Sequence, residues 1–123
     1  MFDHVSLQCD DLAASRRFYE TVFASLEISV SIDFGVVIAF SGPDGAPKFW
    51  LGETATDSPQ REVHLAFAAP DRDTVHAIHA AAQEFGAEVL HEPKEWPQYQ
   101  PGYYAVFLRD PDGNNVEAVH RVS

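Results

Sequence analysis

The stretch DPDGNNVEAVH, residues 110–120, decides how this chain is read. Asp110-Pro111-Asp112-Gly113 is turn chemistry: proline presets φ, glycine supplies a positive φ, and aspartate bonds its own backbone. Val116-Glu117-Ala118-Val119 then reads as a strand with a carboxylate in its middle. Taken alone, a solvent-facing glutamate is the plain explanation, because alternation puts one face of many antiparallel strands in water.

The turn has a counterpart. FSGPDG at 40–45 matches LRDPDG at 108–113; His4 and His64 lie 60 positions apart, and so do Asp11 and Asp71. Two helical patterns stand at matching places. Residues 11–26 place Leu12, Phe18, Tyr19, Val22, Phe23 and Leu26 near a 3.6 period, with Asp10 or Asp11 as N-cap. Residues 71–85 do the same with Val75, Ile78, Ala82 and Phe85, capped by Asp71 and closed by Gly86. A short strand precedes each helix, DHVSLQC in one half and EVHLAFA in the other. Strand-like runs follow at 27–33, 35–41 and 47–53, and again at 87–91, 103–109 and 114–120. The order strand, helix, strand, strand, strand occurs twice, which predicts a duplicated α+β fold. Module one spans 1–53, the polar segment TATDSPQ at 54–60 is the linker, and module two spans 61–123, all within a single domain.

Composition excludes several classes of function. At 123 residues, 46% of them hydrophobic, the chain suits one domain with a small core. Eight basic against 19 acidic residues leave a formal charge of −11, which repels nucleic acid and weakly attracts a cation. No run approaches the roughly 18 apolar residues of a membrane span. Met1-Phe2-Asp3-His4 lacks the cationic start of a secretory signal, and Cys9 is the only cysteine. The expectation is a cytoplasmic protein with a small-molecule partner, no nucleic acid and no membrane.

Strand alternation assigns the faces. Val5 and Leu7 share one face with the following helix, and His4, Ser6 and Gln8 share the other. Val63, Leu65 and Phe67 repeat the core face; His64, Ala66 and Ala68 repeat the open one. Small residues beside a histidine are what a cavity-lining strand needs. In the last strand Glu117 falls on that open face and Val116 and Ala118 on the core face. If the turn sets Arg109 opposite Asn114, then Val106 faces Glu117. Tyr104, Val106 and Leu108 join the cavity face, while Tyr103, Ala105 and Phe107 go to the core. His4, His64 and Glu117 then point at one concave surface and need a partner. A divalent metal satisfies all three, in the two-histidine, one-carboxylate pattern associated with non-haem iron.

These stretches resemble the vicinal oxygen chelate superfamily, also called the glyoxalase, bleomycin-resistance and extradiol dioxygenase family. The resemblance lies in DHVSL at the start, FYETVF in the first helix, VHLAF opening the second half, and PGYYAVFLRDPDGNNVEAVH near the end. It implies two tandem βαβββ modules forming a curved, partly open barrel around a metal site. It implies metal ligands from the first and last strand of each module, which carries over to His4, His64 and Glu117. The ion would be Fe, Zn, Mn or Ni. The fourth ligand position falls on Phe49 or Trp50, neither of which can bind a metal, and Glu53 comes three or four residues too late.

The resemblance therefore implies a metal-dependent enzyme acting on a small oxygen-chelating substrate by lyase, isomerase, transferase or dioxygenase chemistry. Glu117 and Tyr104 are the expected catalytic residues, Tyr104 donating a hydrogen bond to substrate. Trp50, Gln100, Tyr104 and Val106 are the expected pocket, with Gln100 near the metal, and a homodimer is expected. The alternative is a non-catalytic protein that sequesters a cationic small molecule in an aromatic cavity of Trp50, Tyr104 and Phe40. His76 and His79 are expected in solvent.

Overall fold

A computed structural model of the chain describes residues 1–122. The elements run β1 (Val5–Cys9), α1 (Leu12–Val22), β2 (Ser29–Asp33), β3 (Val37–Ser41) and β4 (Pro47–Glu53). They continue as β5 (His64–Ala68), α2 (Arg72–Phe85), β6 (Val89–Glu95), β7 (Tyr103–Arg109) and β8 (Asn115–Arg121). By contacts the chain divides into two compact units, one ending at Gln60 and one beginning at Arg61. Each is a βαβββ module.

The two open sheets have one topology, β1-β4-β3-β2 and β5-β8-β7-β6. The first strand of each pairs in parallel with the last, and the remaining pairs are antiparallel. A parallel pair needs a crossover, which the intervening helix supplies. β6 is an edge strand with two register irregularities and contains Pro93, which an edge tolerates because no ladder bond is lost there.

Capping fixes where the helices start. Asp11 accepts a hydrogen bond from the Ala14 N–H at 3.0 Å, and Asp71 from the Thr74 N–H at 2.7 Å. The first helix stops at Val22, short of the expected Leu26. A 3₁₀ turn takes over at Ala24–Leu26 and ends on Glu27 with φ 59. Gly86 closes α2 at φ 88, where its N–H bonds the Ala82 carbonyl and glycine alone has no Cβ penalty.

In the first unit Phe18, Tyr19 and Val22 of α1, and Phe23 just after it, are buried. Tyr19 meets Phe49 and Phe40 edge-on. Phe40, expected in a cavity, is therefore a core residue, 2% exposed. In the second unit α2 buries Val75, Ile78 and Ala82, and Val106, Leu108, Val116 and Ala118 are fully buried on the helix side of the sheet. Val63, expected to pack in that core, precedes β5 and is exposed; its backbone is instead tied down by Asn114 Oδ1 and the Asn115 N–H.

Candidate functional site

The turn of the opening stretch sets everything that follows. Asp110 Oδ1 accepts from the N–H groups of Asp112 and Asn114, and Oδ2 accepts from Asn114 Nδ2. Asp110 N–H donates to the Asn114 carbonyl, so five residues close the hairpin and Arg109 pairs with Asn115. The expected pairing was Arg109 with Asn114. One extra loop residue reverses the parity of the partner strand. Phe107 stands opposite Glu117, and Val106 stands opposite Ala118.

Tyr103, Ala105 and Phe107 therefore share the face of Glu117, and Tyr104, Val106 and Leu108 lie on the helix side. This corrects two expected pocket residues. Val106 is fully buried under the helix. Tyr104 Oη lies 2.6 Å from His76 Nε2, and the Arg72 guanidinium sits 4.3 Å over its ring. His76 thus has a tyrosine partner, and His79 Nε2 is buried without a hydrogen-bond partner, so neither histidine is simply solvated.

Glu117 is 2% exposed. A buried carboxylate without partners costs several kcal/mol, so its oxygens must be satisfied. Tyr103 Oη donates to Oε2 at 2.7 Å, and His64 Nε2 lies 2.7 Å from Oε1. Burial and the Glu117 carboxylate together push the Tyr103 hydroxyl up to about 12, so it remains a donor. His64 opens β5 and is half exposed; Ala66, opposite Glu117, is too small to cover the carboxylate. Around the glutamate Trp96, Tyr103, Ala105, Phe107 and Val119 form a cluster separate from the helix-side core.

His64 and Glu117 form a nitrogen and oxygen donor pair suited to a divalent transition ion. Asn115, opposite His64 in the ladder and on the same face, has a buried Oδ1 with no hydrogen-bond partner. Tyr103 fixes the carboxylate from behind, as outer hydrogen-bond partners of metal ligands do. This face thus offers one nitrogen and one carboxylate donor, from His64 and Glu117. Among the described residues no three His, Cys, Asp or Glu side chains form a group that could hold one.

In the first unit Trp50 pairs with Ser6 as Glu117 pairs with Ala66, so Trp50 occupies the position repeated by Glu117. His4 is exposed, bonded to Asp3 and edge-on to Trp50 at 6.4 Å. Phe34 stacks on the same indole. Glu53 is exposed and lines a cavity of about 320 Å³ with Leu12, Ala13, Arg16, Asp33 and Ile38, on the helix side of that sheet. Gln100 Oε1 accepts a hydrogen bond from Arg121 Nη1 at 2.8 Å. Tyr103, Asn115, Lys94 and Arg121 were not among the expected site residues. Tyr103 differs from its neighbour only in parity, which the turn length alone reveals.

The family model described as the glyoxalase/bleomycin resistance protein/dioxygenase superfamily matches residues 1–118. The chain belongs to this superfamily. A glyoxalase/bleomycin resistance protein from Albidiferax ferrireducens T118 is 30% identical, with 99% of each chain covered and a TM-score of 0.81. A lactoylglutathione lyase from Agrobacterium tumefaciens shares the fold at 24% identity, covering 98% of this chain and 92% of that one, with a TM-score of 0.71. A family enzyme from Burkholderia phytofirmans PsJN does so at 18% identity, covering 98% of both chains, with a TM-score of 0.73. No curated protein matches the chain in sequence. Among the described residues no helix is long and apolar enough to cross a membrane.

Proposed function

We propose that this superfamily member is a metal-dependent enzyme acting on a small substrate that chelates the ion through oxygen. The observation that supports it is the buried Glu117, held on one oxygen by Tyr103 and facing His64 Nε2 with the other. His64 and Glu117 are the proposed ligands of the second unit, and His4 is the repeat equivalent of His64 in the first. A bound divalent ion supplies Lewis-acid polarisation of a substrate oxygen. Tyr103 keeps the carboxylate in one rotamer. The His64 nitrogen that contacts Glu117 is the one that would hold the ion. A cytoplasmic homodimer completes the reading.

One observation favours the competing reading of a non-catalytic binder: no three-donor group exists among the described residues. Elemental analysis of protein purified without chelator separates the two. Near-stoichiometric Fe, Zn, Mn or Ni supports the enzyme. Metal-free protein that takes up none of these on titration ends it.

A further inference from the structure

We propose that the cavity between α1 and the β2–β3 hairpin binds a small organic monocation, its charge on the Glu53 carboxylate and its apolar body against Leu12, Ala13 and Ile38. The site belongs to the first unit alone and does not depend on the reading of Glu117 as a metal ligand.

Alternation along β4 puts Glu53 on the face of Leu51 and of Phe49, which Tyr19 of α1 meets edge-on. The core ends there: Leu51 is fully buried, and Glu53, two residues on, is exposed. A cavity of about 320 Å³ opens at this edge, at the small end of the roughly 300–1,000 Å³ typical of ligand pockets. Its apolar wall is the buried Ile38, paired with Leu51 in the ladder, together with Leu12 and Ala13 of the first helical turn. At Gly35, where a Cβ would meet nothing within 4 Å, the hairpin end leaves the space open.

An exposed carboxylate is ordinarily solvated and nothing more. Two observations take Glu53 further. It borders an open cavity with an apolar wall, and its side chain has no partner among the described residues. Arg16 is the one cation among the residues lining the cavity, and it is committed elsewhere. Its Nη1 donates to Asp33 Oδ2 and its Nε to Glu20 Oε1, both at 3.0 Å. The Gly35 N–H donates to Asp33 Oδ1 at 2.8 Å. That bond first, and Arg16 second, holds the Asp33 carboxyl below its usual 3.8, so Arg16 keeps an ionised partner. Glu53 is thus the lining charge left uncompensated. Residues 1–60 hold nine Asp and Glu against three Lys and Arg, so the surrounding field also favours a cation. An ammonium group on Glu53 with a short alkyl chain along Leu12, Ala13 and Ile38 matches both halves of the cavity.

Butylammonium, butanol and butyrate share one chain and differ in charge. The full chain is titrated with each, and the methyl resonances of Leu12 and Ile38 are followed. Butylammonium should bind about fivefold tighter than butanol, the upper scale of one exposed charge pair, and butyrate weakest. The preference should shrink in high salt. Glu53→Gln should bind butylammonium no better than butanol. Glu84→Gln, an equal change of charge at an exposed position of α2, should keep the preference. Ala13→Leu, also at an exposed helical position, should fill the cavity and weaken binding of butylammonium and butanol alike. No methyl shift with butylammonium, equal affinities for it and butanol, or a preference for butyrate overturns the inference. So does an unchanged preference in Glu53→Gln or an unchanged affinity in Ala13→Leu.

Discussion

Phe107 stands opposite Glu117 across β7 and β8, and this pairing puts the Tyr103 hydroxyl 2.7 Å from the carboxylate. Tyr104, one residue on, bonds His76 under the helix instead. The two adjacent tyrosines should therefore behave oppositely. Tyr103→Phe should weaken metal affinity roughly tenfold, the effect of losing an outer partner of a ligand, and Tyr104→Phe should leave it unchanged. Metal titration by calorimetry on both variants checks this. Equal affinities in the two would remove Tyr103 from the site.

Glu117→Gln preserves shape and removes the charge. Metal affinity should fall by at least about tenfold while the fold survives, because the helix-side core does not involve this residue. Glu53→Gln, on the exposed end of β4, is the control and should retain metal like the parent. If both variants hold metal equally, Glu117 is not a ligand.

The Asp110 turn is a stability element as well as a register device. Asp110→Ala removes the acceptor for two backbone N–H groups and the Asn114 amide, in a place where both residues are at most 5% exposed. Unmaking buried hydrogen bonds to a charged group should cost about 2–4 kcal/mol. Urea denaturation would show this as a lower midpoint. A loss below about 0.5 kcal/mol would mean water replaces the carboxylate without penalty.

Asp71 predicts a pH effect. The hydroxyl and backbone N–H of Thr74 hold its carboxyl below the usual value of 3.8. The folded state favours the ionised form, so the contribution is complete above 3.8 and is lost as pH falls through the lowered folded value. Asn also caps helices, so Asp71→Asn should match the parent at neutral pH and lose less stability on acidification. Thermal midpoints of both proteins from neutral to acid pH test this; parallel curves throughout would mean the cap is not coupled to protonation.

Local chemistry written in the chain determined the duplicated architecture. Asp11, Asp71 and Gly86 cap the helices, the 3.6 and 2.0 periods select helix and strand, and the matched PDG turns align the halves; each signal acts within a few residues. The same locality put His64 and Glu117 on one face, since alternation within a strand needs no partner. Only the tertiary structure decided what faces Glu117. The five-residue closure around Asp110 depends on Asn114 turning inward to satisfy both Asp110 and the Val63 N–H across the sheet. That bond lies between segments 51 residues apart, so no turn signal announces it, and one residue of loop exchanged Tyr104 and Val106 for Tyr103 and Phe107. The aromatic seat of Arg121 was equally hidden, because it joins β8 to the Tyr103 ring on β7, which only folding brings beneath it.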